Sequence, residues 1–400
     1  MIDLCQQDWL NDARLARLFE VITQAGGEVR VAGGAVRNGL WGLPVKDIDV
    51  ATTLLPQEVI RAGESAGFHV HPTGVDHGTV TAVIDGLPME VTTLRADMET
   101  DGRRAVVAFT KDWGVDARRR DFTFNALYCD LSGKVFDETG QGLEDCEAQR
   151  VRFVGDASER ICEDYLRILR YFRFESQYGK GAFDPAALAA CEALKGGMKA
   201  LSVERIQSEL LKILAGPRAV AVIDMMLVKN ILQEVIKVEG SAFGLARMIA
   251  LEDQLGGPAD VVKRLAMLTC DVSYLRLSKA QQQRFALLKT PIDISPQSED
   301  LARKKVLYEL GELAYRDGVM MAWVASLNDV DDAGWLKLYA LPDEWPVPVF
   351  PLTGKDMMAA GFSSGIGLGE ALKLVEQQWI ADGFSGNKQE LLSKAESHDR

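Results

Sequence analysis

The sequence predicts an α+β protein in which a small mixed or antiparallel sheet occupies the N-terminal third and helices alone follow from about Glu159. Two observations carry this. Short, β-branched segments between Val29 and Thr93 are separated by Gly, Pro and Asp turn signals, and beyond Glu159 the apolar residues recur at helical spacing. At 400 residues and 47% hydrophobic, the chain can bury a substantial core and is expected to divide into about two or three modules.

The elements follow in order. Residues from about Leu10 to Ala25 have helical periodicity. Val29-Arg30-Val31-Ala32 reads as a strand running into Gly33-Gly34, and a short helix beginning near Ala35 would aim unpaired N–H groups at whatever lies in front of it. A phosphate chain suits that position, because glycine lets the backbone approach closely and Arg37 offers a fork for phosphate oxygens. Asp47 and Asp49 come next, one residue apart. In a strand, side chains at i and i+2 share a face, so both carboxylates converge while Ile48 faces a core. Such a pair can hold Mg²⁺.

Phe68-His69-Val70, Gly78 to Ile84 and Met89 to Thr93 read as further strands, with a hairpin turn at Asp85-Gly86. A strand paired beside the aspartate strand would bring Glu90 to the same metals as a third carboxylate. The polar stretch from Arg95 to Val115 reads as a mobile loop. Asp116 to Leu127 then alternates arginines, an acid and an asparagine with aromatics, which interleaves polar groups for sugar and phosphate with apolar anchors. Farther on, Glu163, Arg167 and Arg170 fall on one side of a helix at i, i+4 and i+7, flanked by Asp164, and Leu166, Leu169 and Phe172 supply a buried side. Periodicity alone does not separate this set from an ordinary Glu–Arg helix pair worth a few tenths of a kcal/mol.

Charge and composition exclude several functions. The formal net charge of −13 argues against nonspecific coating of nucleic acid, although Arg118-Arg119-Arg120 and the series Arg160, Arg167, Arg170 and Arg173 allow a local basic surface. Six scattered cysteines form no Cys-x-x-Cys pair and read as reduced thiols. The N-terminus lacks the character of a signal peptide, and no apolar run approaches the ~20 residues needed to cross a bilayer. A soluble cytoplasmic protein with no membrane partner is the expectation. Gly354-Lys355 is followed by Asp356, which excludes a P-loop, and four histidines with no His-Asp pair in the helical half before His398 argue against a fused phosphohydrolase.

The motifs Gly33-Gly34-x-Val36-Arg37, Asp47-x-Asp49, Arg119-Arg120-Asp121-Phe122-Thr123-x-Asn125-Ala126, Asp137-x-x-Gly140, Glu163-Asp164-x-x-Arg167 and Ser202-x-Glu204-Arg205-Ile206-x-x-Glu209-Leu210 stand in register with those of a known family. Together they resemble the class II CCA-adding tRNA nucleotidyltransferases and the related bacterial poly(A) polymerases. The resemblance covers roughly the first 215 residues, and Pro351 to Asp356 with Gly365-x-Gly367-x-Gly369 resembles the family's C-terminal segment.

The resemblance implies a catalytic head over residues 1–137, a neck over 138–216 and a helical, tRNA-binding body and tail over 217–400. It implies Mg²⁺ on Asp47 and Asp49 with Glu90 beside them, and a triphosphate on Gly33, Gly34 and Arg37. Ribose and phosphates would be surrounded by Arg120, Asp121 and Asn125, and the neck helix carrying Glu163, Asp164, Arg167 and Arg170 would select the nucleotide. The implied reaction adds C, C and A to the tRNA 3′ end from CTP and ATP. The polar loop from Glu99 to Arg104 would reshape the pocket between C and A. One departure is Asn38, where the family usually has aspartate; an amide keeps a hydrogen bond to Arg37 but cannot neutralise its charge. A poly(A) polymerase, a CC-adding or A-adding specialist, and a non-catalytic tRNA-binding protein are the competing readings.

Overall fold

A strand of four residues, β1 (Val29–Ala32), lies inside the main sheet and delivers the Gly33-Gly34 turn from a buried end, since Val31 and Ala32 are both in the core. The computed structural model describes residues 4–97 and 107–398. Before β1 comes the amphipathic helix α1 (Ala13–Gln24), started by Asp12, whose carboxylate accepts from the Arg14 N–H, and anchored by Leu15, Leu18, Phe19 and Ile22. After it come α2 (Gly34–Trp41), β2 (Asp49–Thr52), α3 (Pro56–Ser65), β3 (His69–Gly74), β4 (Thr79–Ile84) and β5 (Leu87–Thr93). Asp85 and Gly86 both take positive φ between β4 and β5, forming the expected hairpin turn.

The main sheet has seven strands in the order β3-β4-β5-β2-β1, continued by β8 (Leu127–Cys129) and β9 (Val135–Asp137). It is mixed: β2 and β5 run parallel and the other pairs antiparallel. Asp49 begins β2, while Asp47 lies in the irregular segment before it and Ile48 is half-buried.

Within the stretch from Arg95 to Val115, read from sequence as a loop, the described residues include regular elements. β6 (Arg95–Asp97) and β7 (Val107–Phe109) pair antiparallel as a separate ribbon, and α4 (Trp113–Arg118) follows under an Asp112 cap. Strands of three residues are too short to leave an alternating pattern. Glu99 to Arg104 lie outside the described residues.

Beyond β9 the chain is helical: α5 (Gly142–Ala148), α6 (Ala157–Glu163), α7 (Leu166–Gln177), α8 (Pro185–Leu194), α9 (Val203–Ala215) and α10 (Ala219–Val228) belong with the sheet to one compact unit, residues 1–237 with 274–276. This unit runs past Gly216 because α10 packs on α7 and α9, burying Ala219, Val222, Ile223 and Met226. Edge-on aromatic contacts tie the segment before β8 to α7. Phe122 meets Phe174 at 5.1 Å and Phe153 at 4.9 Å between ring centroids, and Phe124 meets Phe174 at 5.5 Å. The second unit, residues 238–273 and 277–400, runs from α11 (Ala242–Gln254) to α19 (Lys388–His398) and contains a core around Trp323, Trp335, Tyr315 and Leu307. No helix among the described residues is long and apolar enough to cross a membrane.

Candidate active site

Gly33 caps α2 at φ 65°, a conformation that strains any side chain, and a Cβ there would stand 3.1 Å from Arg120 Nη1. Its N–H donates to the Leu127 carbonyl at 2.9 Å, so the turn that starts α2 is fixed against β8. Across the sheet, the parallel register sets Asp49 directly beside Glu90. Both are exposed on one face, and Asp47 is exposed two residues upstream. Desolvation, and next the Glu90 charge, raise Asp49 above the usual carboxylate range, with Asp47 adding to the effect and Arg120 opposing it. The pairing thus brings Glu90 to Asp49.

Among the described residues, no three His, Cys, Asp or Glu side chains stand gathered at metal-ligand spacing. The donor chemistry nonetheless suits a hard divalent cation: exposed carboxylates only, whose mutual repulsion a cation would relieve.

Arg37 points elsewhere. It is 7% exposed, and its Nη1 donates to Asn125 Oδ1 at 2.5 Å while Nε and Nη2 donate to Asn38 Oδ1 at 3.1 and 2.8 Å. Tyr178, Phe174 and Trp41 surround the guanidinium at 4.6 to 5.6 Å from their ring centroids, and burial draws its pKa below the ordinary arginine value. The direct phosphate contact expected of Arg37 is therefore not what this geometry offers; its fork is taken up inside the protein.

From Arg37 a hydrogen-bonded line runs to the helices. Asn125 Nδ2 donates to Asp121 Oδ1 at 3.2 Å, the Phe122 N–H donates to the same oxygen at 2.9 Å, and Arg170 Nε and Nη2 both donate to Asp121 Oδ2, the former at 2.7 Å. Burial alone would raise Asp121, but Arg170 and these hydrogen bonds hold it below the usual carboxylate range.

Arg120 is held by Asp116, whose Oδ2 accepts from its Nη2 at 3.1 Å, by the Tyr128 hydroxyl at 3.2 Å and by the Asn125 carbonyl at 3.3 Å. Asp116 is 1% exposed and also accepts from Arg119 Nε and the Tyr128 O–H, at 2.8 and 2.6 Å. Sequence reasoning gave Asp116 and Tyr128 no role. The spacing of Asp116 to Arg119 and Arg120, at i+3 and i+4, was the available signal.

The helix expected to carry Glu163, Arg167 and Arg170 without a break is two helices. The chain turns extended at Asp164, φ −155° and ψ 106°, between α6 and α7. Asp164 Oδ1 accepts from the Leu166 N–H at 3.1 Å, and Oδ2 accepts from Arg205 Nη2 of α9 at 2.6 Å, a contact that competes with continuing the helix. Glu163 still pairs with Arg167, and with Arg160 as well; Arg167 also donates to the carbonyls of Arg160 and Arg119. Leu166, Leu169 and Phe172 are buried as expected. The remaining motif residues support the frame: Glu209 accepts from Arg173 with both oxygens at 3.1 Å, and Asp137 accepts from the N–H groups of Thr139, Gly140 and Leu143.

Residues 29–152 match the family model of the Poly A polymerase head domain, and residues 182–238 match that described as the "Probable RNA and SrmB-binding site of polymerase A". The Homo sapiens mitochondrial CCA tRNA nucleotidyltransferase 1 is 35% identical over 401 residues, covering 95% of this chain and 89% of its own length. The chain belongs to the CCA-adding tRNA nucleotidyltransferase family. The CCA-adding enzyme of Lacticaseibacillus paracasei is 30% identical across 98% of this chain and 97% of its own. The family fold is equally evident: the Bacillus stearothermophilus CCA-adding enzyme solved in complex with CTP superposes with a TM-score of 0.72 at 24% identity, covering 97% of each chain.

Proposed function

We propose that this member of the family adds C, C and A to the 3′ end of tRNA, using CTP and ATP and releasing pyrophosphate. The observation that carries the chemistry is the register of Asp49 beside Glu90, with Asp47 on the same exposed edge, next to the Gly33 turn. Likeness to CCA-adding enzymes from end to end supports this activity over poly(A) synthesis, whose head-domain model matches residues 29–152.

Asp47 and Asp49, with Glu90 alongside, would hold a hard divalent cation such as Mg²⁺. Bound there, the metal would lower the pKa of the attacking 3′-hydroxyl and steady the departing pyrophosphate. Gly33, Gly34 and the first N–H groups of α2 receive the triphosphate, while Arg120, held by Asp116 and Tyr128, faces the same turn. Arg37, Asn125, Asp121 and Arg170 set the wall behind it.

Asp164 and Arg167 read the base. Cytosine and adenine each present an exocyclic amine donor beside a ring-nitrogen acceptor, so one carboxylate and one guanidinium satisfy either. Uracil and guanine present the opposite order and would leave buried polar groups unpaired, at about 1–3 kcal/mol each. Glu163 and the carbonyls of Arg160 and Arg119 fix Arg167, and Arg205 fixes Asp164. We assign residues 1–137 to the head, 138–216 to the neck, and 217–400 to tRNA binding. We infer a reducing, cytoplasmic setting from six scattered cysteines with no Cys-x-x-Cys spacing. The test is release of pyrophosphate from CTP: it should require both a tRNA ending before CCA and a divalent metal, and release independent of tRNA would refute the reading.

A further inference from the structure

Asn38 follows Arg37 in α2, and its one amide faces two ways. Oδ1 accepts from Arg37 Nε and Nη2, and Nδ2 donates to the Pro44 carbonyl at 3.1 Å. Only this orientation works: turned over, the amide would set N–H groups against guanidinium donors and an oxygen against a carbonyl. Pro44 lies in the irregular segment 43–48, which carries Asp47 into β2. The Leu43 N–H donates to the Asn38 carbonyl at 2.9 Å, so residue 38 holds consecutive residues of that segment, one with its backbone and one with its side chain.

We propose that Asn38 is a positioning residue that couples Arg37 to the segment bearing Asp47. The catalytic consequence rests on Asp47 being a metal ligand; the tether itself does not. Aspartate in this place would give buried Arg37 an ion pair, but it would also press a carboxylate oxygen against the Pro44 carbonyl, an acceptor against an acceptor. Asparagine keeps the tether and leaves Arg37 with the neutral oxygens of Asn38 and Asn125. Among the described residues no carboxylate forms an ion pair with it.

The test uses full-length N38D and N38A. Hydrogen–deuterium exchange of peptides covering 43–48 is measured without nucleotide or metal, followed by thermal midpoints and by incorporation titrated with Mg²⁺. In N38D, exchange of the segment should quicken about three- to tenfold, the range set by loss of one hydrogen bond. Its thermal midpoint should not fall, and the Mg²⁺ concentration for half-maximal activity should rise severalfold, with less than about a twofold change in kcat at saturating metal, the reserve left to a ligand set that is displaced but complete. In N38A the segment should also quicken, but the midpoint should fall because Arg37 loses a partner. Unchanged exchange in both variants overturns the tether. Quickened exchange with an unchanged Mg²⁺ requirement overturns the coupling to Asp47. D47N is run alongside: if it retains full incorporation, the assignment of Asp47 as a ligand fails while the exchange result still decides the tether.

Discussion

Asp121→Asn is the perturbation most sharply defined by the structure. The carboxylate receives two N–H groups from Arg170 on one oxygen, and the Phe122 N–H with Asn125 Nδ2 on the other. An amide has one accepting oxygen. Whichever way the substituted amide turned, its own NH₂ would face two donors in a half-dry site, and Arg170 would lose its counter-charge. Two orphaned donors at about 1–3 kcal/mol each, or equivalently one broken buried ion pair at about 3–5 kcal/mol, place the cost near 3–5 kcal/mol. For a unit of this size that corresponds to a fall of about 6–20 °C in the thermal midpoint. Urea unfolding of D121N, R170M and the double variant would measure it. The two losses should be strongly non-additive, with a coupling of about 2 kcal/mol or more, because removing either partner already breaks the pair. A single-variant loss below about 1 kcal/mol, or simple additivity, would refute the reasoning.

Other consequences are simpler to state. If Asp49 holds the metal as proposed, Asp49→Asn should reduce nucleotide incorporation by roughly a thousandfold or more, with tRNA affinity retained; rapid-quench kinetics and filter binding check the two halves. Gly33→Ala adds a Cβ at a positive φ and against Arg120, so it should cost about 1–3 kcal/mol of stability and raise KM for CTP and ATP. Buried Glu175 is pushed up to about 7, chiefly by desolvation and against the pull of Arg218. Its folded-state pKa lies above the unfolded value, so the native state holds the proton more tightly and stability falls as pH rises between about 4.5 and about 7, by roughly 2–4 kcal/mol, and levels off above. Glu175→Gln should flatten that descent; an unchanged slope of thermal midpoint against pH would contradict it.

The site was most legible where chemistry and short-range geometry coincide. The Gly33-Gly34 turn after β1 and the pairing of Glu90 with Asp49 follow from the strand pattern, whereas Asp47 lies in the irregular segment before β2 instead of on its strand face. Less legible were features decided by distant partners. Arg37 turns inward because Tyr178 and Phe174, far along the chain, enclose it with Asn125. The apolar spacing of Leu166, Leu169 and Phe172 says nothing of a break just before them; that break comes from Asp164 taking the Leu166 N–H and Arg205. Asp116, on α4, had no assigned role because Arg119, Arg120 and the Tyr128 hydroxyl of β8 gather around it only in the fold.

The most direct measurement supplies purified protein and Mg²⁺ with tRNA transcripts ending before CCA, after C and after CC, giving CTP, ATP, UTP and GTP singly and CTP with ATP together. The account predicts ordered addition of C, C and then A, with UTP and GTP refused. Addition of A alone to the CC end, long A tails on unrelated RNA, or binding of tRNA without any incorporation would each contradict it.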